Sequence, residues 1–407
     1  MITILENCTI FDGVSADLAE GASVVVENGF IKEVSERPTS TLSGNRVDCR
    51  SGFLMPGLID AHFHAYTPGF DLHGLEAMPM SLLAQHAAAL LEGALQRGFT
   101  TVRDAGGGDI GLAMAIEKGL IKGPRFFFSG RAISQTGGHG DLRPAGHVEP
   151  CACATSGRLS VVVDGAAEMR RAVREELRNG ATQVKIFVSG GVVSPTDPIW
   201  MPQYTAEEIT AAVEEAATRR TYVMAHCHTD ERARVCVEHG VRSIEHGTEI
   251  SEATATLLAA SNAYVVPTLS IIAVLRDHGK RMGLPPMSVE KIEGLYDRAL
   301  QSLSHCVSAG VKIGLGTDLL GHFHERQGDE FQLRGAVSQP IDILRSATSV
   351  NAEILQMQGR LGCVQPGAYA DLLLVDGNPL MNLALLADSA RCIKLILRNG
   401  EFIRNSL

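Results

Sequence analysis

Eight short apolar runs, most of them separated by helix-like segments, constrain this chain more than any other feature. They are "GLIDAHFH" (57–64), "TTVRDAG" (100–106), "RFFFSG" (125–130), "QVKIFVSG" (183–190), "YVMAHCH" (222–228), "SIEHG" (243–247), "AYVVPTL" (263–269) and "KIGLGTDL" (312–319). Continuous apolar runs of this length suit strands buried on both faces, as in a parallel sheet. Most gaps carry a helical pattern, as in "MSLLAQHAAALLEGALQRG" (80–98) and "AAEMRRAVREELRNG" (166–180). Parallel neighbours need crossovers of that kind. Eight strands with crossover helices predict an α/β fold, a (β/α)8 TIM barrel over residues 56–361. A doubly wound open sheet is the alternative, but no dinucleotide-binding fingerprint follows the first strand. "AGGGDIG" (105–111) is Gly-rich without the required spacing and reads as a turn between strand and helix.

The two ends differ from the middle and resemble each other. "ASVVVENGFIKEV" (22–34) is two β runs joined at Asn28-Gly29, a strong hairpin signal. "CIKLILRNGEFI" (392–403) repeats the design at Asn399-Gly400, and "ADLLLVDG" (370–377) adds a strand. Residues 1–55 and 362–407 are therefore expected to form one small β-sandwich domain built from both termini.

Composition narrows the function classes. Of 407 residues, 45% are hydrophobic and 20% charged, which fits a globular protein with a large core. The net charge of −10 argues against nucleic acid as a partner. No run approaches the roughly 18 apolar residues of a membrane span. The start, "MITILENCTIFDG", lacks the basic region of a signal peptide and reads as a strand, although a trimmed leader would leave no trace. Nine cysteines without framework spacing fit a reducing compartment, so the cytoplasm is the expected location. The close pair Cys151 and Cys153 is spaced too tightly for a zinc knuckle.

The polar residues fall where a barrel places its chemistry, at the C-terminal ends of the strands. The first run ends in His62 and His64, two apart and therefore on one face. The fourth carries Lys185, the fifth His226, the sixth His246 and the eighth Asp318. Each has an ordinary explanation taken alone: a hydrogen-bonded core histidine, a helix-capping aspartate, a lysine reaching outward. Those explanations would have to hold independently at five strands. Four imidazoles and a carboxylate at one mouth are instead the ligand types that suit zinc. Lys185 is then the anomaly, because an ammonium in a buried strand is costly unless paired or neutralised.

These motifs resemble the binuclear form of the amidohydrolase superfamily. "PGLIDAHFH" is similar to its first-strand metal motif, "VKIFVSGG" to its carboxylated fourth-strand lysine, and "MAHCH", "SIEHG" and "GLGTD" to strands five, six and eight. The resemblance spans the whole chain, split terminal domain included. It implies that His62, His64 and Asp318 bind a buried Zn²⁺ and that His226 and His246 bind a more exposed one. Carboxylated Lys185 and a hydroxide would bridge the two. A carbamate has two anionic oxygens suited to ions roughly 3.5–4 Å apart. Asp318 would take the nucleophile's proton and pass it to the leaving nitrogen.

Within the superfamily, "GRAISQTGGHGD" (130–141), "SGGVVSPTDP" (189–198) and "TDLLG" (317–321) resemble the prolidase-like branch of Xaa-Pro dipeptidases and carboxypeptidases, close to amidohydrolases that split ochratoxin A. The resemblance implies a small substrate with an amide to a C-terminal amino acid, and a homo-oligomer, with an octamer among the expected sizes. It makes His139 the residue near the substrate carbonyl. His228 stands where relatives place a tyrosine that reaches the substrate, which leaves substrate preference open. His322 and His324 in "GHFHE" form another His-x-His pair, read as a loop over the mouth. Arg131, Arg143 and Arg326 are available for a substrate carboxylate. The same machinery turned to a xenobiotic amide or aryl urea is the alternative. A non-enzymatic scaffold predicts lost ligands, and none is lost; a mononuclear deaminase has no use for Lys185.

Overall fold

A computed structural model describes residues 2–36, 43–143, 158–194, 197–282, 284 and 286–407. Cys151 and Cys153 lie outside the described residues. The chain opens with β1 (Ile2–Ile10), β2 (Ala19–Glu27), β3 (Phe30–Ser35), β4 (Asn45–Asp48) and β5 (Phe53–Pro56). The middle supplies β6 (Leu58–Phe63), β7 (Phe99–Asp104), β8 (Arg125–Phe128), β9 (Ala132–Ser134) and β10 (Ser160–Val162). It continues with β11 (Val184–Phe187), β12 (Val223–Cys227), β13 (Ser243–His246), β14 (Tyr264–Val266) and β15 (Lys312–Ile313). The chain closes with β16 (Leu372–Val375), β17 (Ile393–Arg398) and β18 (Glu401–Asn405).

All eight apolar runs contain a strand, and their pairings are parallel. They fall in two sheets. One is β6-β7-β8, and the other runs β10-β9-β11-β12-β13-β14-β15. β9 and β10, two short strands, were not anticipated from the sequence. Backbone hydrogen bonds cross both seams between the sheets: Thr182 N to Phe128 O at 2.8 Å, Ala61 N to Leu315 O at 2.8 Å, and Asp318 N to His62 O at 2.8 Å. The predicted crossovers are helices, Met80–Gln96 and Gly165–Arg178. The second buries Met169, Ala172, Val173 and Leu177, spaced as one helical stripe. The helix Ala206–Thr218 starts at a capping box in which Thr205 and Glu208 satisfy each other's backbone N–H groups.

The two ends do combine. β16 pairs antiparallel with β5, so β1–β5 and β16–β18 form one eight-stranded sheet. Within that sheet β1 changes partner along its length. Thr3–Glu6 pair with β4, and Thr9–Ile10 pair with β5. Both hairpins are present: Asn28 and Gly29 have φ of 53° and 84°, Asn399 and Gly400 of 50° and 75°. The two turns touch, and a Cβ added at Gly29 would lie 3.1 Å from Asn399 O. Glycine is therefore required there by conformation and by space. Among the described residues, no helix is long and apolar enough to cross a membrane.

Candidate metal centre

The C-terminal ends of β6, β11, β12 and β13 and the residues after β15 meet at one cavity of about 150 Å³, lined by His62, His64, Lys185, His226, His246 and Asp318. Asp318 Oδ1 lies 3.5 Å from His62 Nε2 and 3.0 Å from His64 Nε2. The His246 ring is 5.0 Å from that of His62 and 4.6 Å from that of His226. Ligand atoms of His62, His246 and Asp318 lie within 4.8 Å of one another. The six residues singled out from the sequence are thus together.

A metal-binding imidazole needs its other nitrogen held so that the ring is oriented and the tautomer set. His62 Nδ1 is 2.8 Å from Glu245 Oε2, His226 Nε2 is 3.2 Å from Gly190 O, and His246 Nδ1 is 2.8 Å from Thr268 Oγ1. His64 Nδ1 is at the limit of this contact, 3.5 Å from Gly106 O. Each ring is left with one nitrogen for the cavity.

The electrostatics suit the same purpose. Burial lowers the pKa of His62 to about 4 and puts His226 and His246 well below the ordinary value, so these rings stay neutral and keep a lone pair. Burial lowers Lys185 to about 8 against the pull of Glu245 and Asp318. Lys185 is only 2% exposed, and its Nζ lies 5.7 Å from the centroid of the Phe187 ring. Burial would raise Asp318, but His62, His64 and Lys185 outweigh it and hold the carboxyl at about 2. His64 differs, because burial would lower its pKa but Asp318 outweighs burial and raises it. Three neutral imidazoles, an anionic carboxylate and a readily deprotonated amine fit a divalent metal centre.

Backbone strain gathers at the same place. His246, Thr268 and Asp318 have φ of 72°, 47° and 55°. For side-chain-bearing residues this left-handed region costs about 1–3 kcal/mol each and concentrates at functional sites. At His246 it breaks the strand's alternation, so Glu245 and His246, though adjacent, both serve the interior. Glu245 also takes Arg103 Nη2 at 2.8 Å. Burial would raise Glu245, but Arg103 and His62 hold it at about 2. Neither Arg103 nor Glu245 was singled out from the sequence. The signal was present, because each is a charge inside an apolar run, as Lys185 is.

His139 stacks on His226 with ring centroids 4.4 Å apart and lines the cavity. Its Nδ1 lies 2.7 Å from Ser194 Oγ and 3.3 Å from Asp197 Oδ2. Lys291 holds the segment carrying those two residues. Its Nζ donates to Gly191 O, Ser194 O and Asp197 O at 2.7, 3.0 and 2.7 Å. His228 also lines the cavity, with Nδ1 3.0 Å from Thr248 Oγ1. One wall is apolar, with Phe187, Val192, Ile271, Ile272, Leu275 and Leu295.

Other candidates lie elsewhere. His322 is exposed and stacks on Phe323; His324 is buried against Phe63 at 4.3 Å; neither lines the cavity, whereas Leu320 does. Arg131 pairs with Glu176, Arg143 with Asp141 and Arg326 with Asp329. Among the described residues, no arginine lines the cavity.

The model of the amidohydrolase family matches residues 53–403. The chain belongs to the amidohydrolase family. Amidohydrolases generally depend on metal, and this one is a hydrolase acting on C–N bonds. It is similar to ochratoxinase of Aspergillus niger, with 31% identity over 99% of this chain and 87% of that one. Among solved amidohydrolase structures it resembles a prolidase complexed with N-methylphosphonate-L-proline, at 44% identity, a TM-score of 0.96 and full coverage of both chains. A Xaa-Pro dipeptidase with bound methionine is 27% identical, with a TM-score of 0.89 and full coverage of both chains.

Proposed function

We propose that this amidohydrolase uses two Zn²⁺ ions to split the amide between an acyl or aminoacyl group and a C-terminal amino acid, as in Xaa-Pro dipeptides, N-acyl amino acids or ochratoxin A. The observation that carries the reading is the convergence of four imidazoles, three of them tethered, with Asp318 and a buried lysine that has no hydrogen-bond partner among the described residues, on one cavity. The prolidase and ochratoxinase likenesses support the substrate class. The two parallel sheets are read as one closed (β/α)8 barrel, and the protein as a homo-oligomer.

His62, His64 and Asp318 would hold one ion, His226 and His246 the other, and Lys185, carboxylated by CO₂, would bridge them. When bound, such a pair polarises a carbonyl and makes water acidic enough to be a nucleophile at neutral pH. Asp318, kept ionised, takes the nucleophile's proton and returns it to the leaving nitrogen. His139 offers Nε2 to the carbonyl oxygen while Ser194 and Asp197 hold Nδ1. The apolar wall receives the acyl side chain and excludes water. His228 faces the leaving amino acid.

One observation favours a second reading, the hydrolysis of an uncharged xenobiotic amide or aryl urea. With Arg131, Arg143 and Arg326 engaged elsewhere, no guanidinium awaits a substrate carboxylate among the described residues. A substrate screen separates the two. Protein supplied with zinc and bicarbonate should cleave Xaa-Pro dipeptides, N-acyl amino acids or ochratoxin A faster than matched amides and aryl ureas lacking the carboxylate. Preference for the latter selects the second reading. Protein holding well under one zinc per chain and inactive after both additions refutes both.

A further inference from the structure

Thr268 follows β14 at the start of the helix Leu269–His278, where a threonine ordinarily caps the helix with its hydroxyl. It makes no capping bond. Its Oγ1 instead meets His246 Nδ1 at 2.8 Å, and the residue is fully buried. Capping has passed to another helix. Glu330, in Asp329–Arg334, accepts from Ser270 N at 2.7 Å, Ser270 Oγ at 2.7 Å and Leu269 N at 3.3 Å.

The backbone of Thr268 is equally unusual. Its φ of 47° is left-handed, and a β-branched side chain there is a genuine outlier. Glycine would adopt it without strain, and asparagine or aspartate more readily than threonine. A residue chosen to relieve this turn would not be threonine, and as a helix cap this threonine goes unused. What threonine brings is a hydroxyl at the His246 ring.

We infer that Thr268 is a positioning residue for the metal centre: its strained backbone and hydroxyl fix the ring plane of His246 and hold the Nδ1–H tautomer, leaving Nε2 for zinc. For Nε2 to offer its lone pair, Nδ1 must carry the proton, and Oγ1 is the oxygen that accepts it. Strain at Thr268 is thus the cost of aiming His246, with Glu330 freeing the hydroxyl for that task. The inference rests on the zinc reading of the site.

The test compares wild type, Thr268→Gly and Thr268→Ser for zinc retained against increasing chelator and for the melting temperature of the metal-stripped proteins. Thr268→Gly should lose zinc at chelator concentrations about tenfold or more lower, the usual scale for a lost outer partner. Its stripped form should melt no lower than wild type, because strain is relieved. Thr268→Ser should retain zinc like wild type. The inference is overturned if Thr268→Gly holds zinc as tightly as wild type. It is equally overturned if Thr268→Ser releases zinc as readily as Thr268→Gly, or if stripped Thr268→Gly melts well below wild type. Wild type that binds no zinc would refute the zinc reading itself, and this inference with it.

Discussion

Lys185 and Glu245 are two buried ionisable groups pushed toward opposite charge states, the amine toward neutrality by burial and the carboxyl toward ionisation by Arg103 and His62. Lys185 is held low by burial, and a neutral amine is what CO₂ requires to form a carbamate. Lys185→Ala should therefore cut turnover by several orders of magnitude and lower zinc per chain, as checked by kinetics and elemental analysis. Normal turnover with two metals retained would end the carbamate assignment. Glu245 lies between Arg103 and His62. Its carboxyl is depressed from 4.5 to about 2. A depressed acid adds stability that is present above the unfolded value and is lost as pH falls through the folded one. The metal-free protein should thus lose about 3 kcal/mol between pH 5 and pH 2 from this group. Urea unfolding across that range measures it, and Glu245→Gln should flatten the dependence.

At the scale of elements, the short helix Pro286–Ile292 and the backbone at Gly191, Ser194 and Asp197 act together. Lys291 gives all three ammonium protons to the carbonyls of those residues, of which Ser194 and Asp197 hold His139. Lys291→Met keeps the length of the side chain and removes the donors. It should lower kcat about tenfold or more, since small misplacements of a reacting group are costly. Zinc content should stay unchanged, because Lys291 contacts no ligand. Equal kcat in the variant would show that His139 keeps its position without the lysine. The positions of these strands were readable in advance, as each apolar run holds a strand. β9 and β10 were not, because three-residue strands lack any usable periodicity.

Across the whole molecule, the parallel sheets and the terminal sheet are joined at Arg125. From β8 its Nη2 reaches Asn399 Oδ1 at 2.5 Å and Asp371 Oδ2 at 3.4 Å, while the guanidinium sits 3.9 Å from the centre of the Tyr369 ring. Arg125→Ala should cost about 2 kcal/mol through these lost contacts. A lowered melting temperature with unchanged zinc content checks it. Removing zinc by dialysis against chelator should lower the melting temperature as well. Anything that binds only the folded state stabilises it, and zinc with bicarbonate should restore both stability and activity.

The sequence by itself determined the alternation of strands and helices, both Asn-Gly hairpins, and six of the residues that meet at the cavity. Those are local signals: apolar runs, turn dipeptides, and histidines or charges at strand ends. Only the tertiary structure decided what surrounds them. Glu245, Thr268 and Gly190 became the tethers of His62, His246 and His226 through contacts that bridge separate strands and loops. The three arginines offered for a substrate carboxylate turned to nearby acids, and His324 turned into the core. A side chain's partner depends on the packing of distant segments, which periodicity and spacing do not encode. For that reason Lys185 was legible as an anomaly from its own apolar run, while the network that aims the site around it was not.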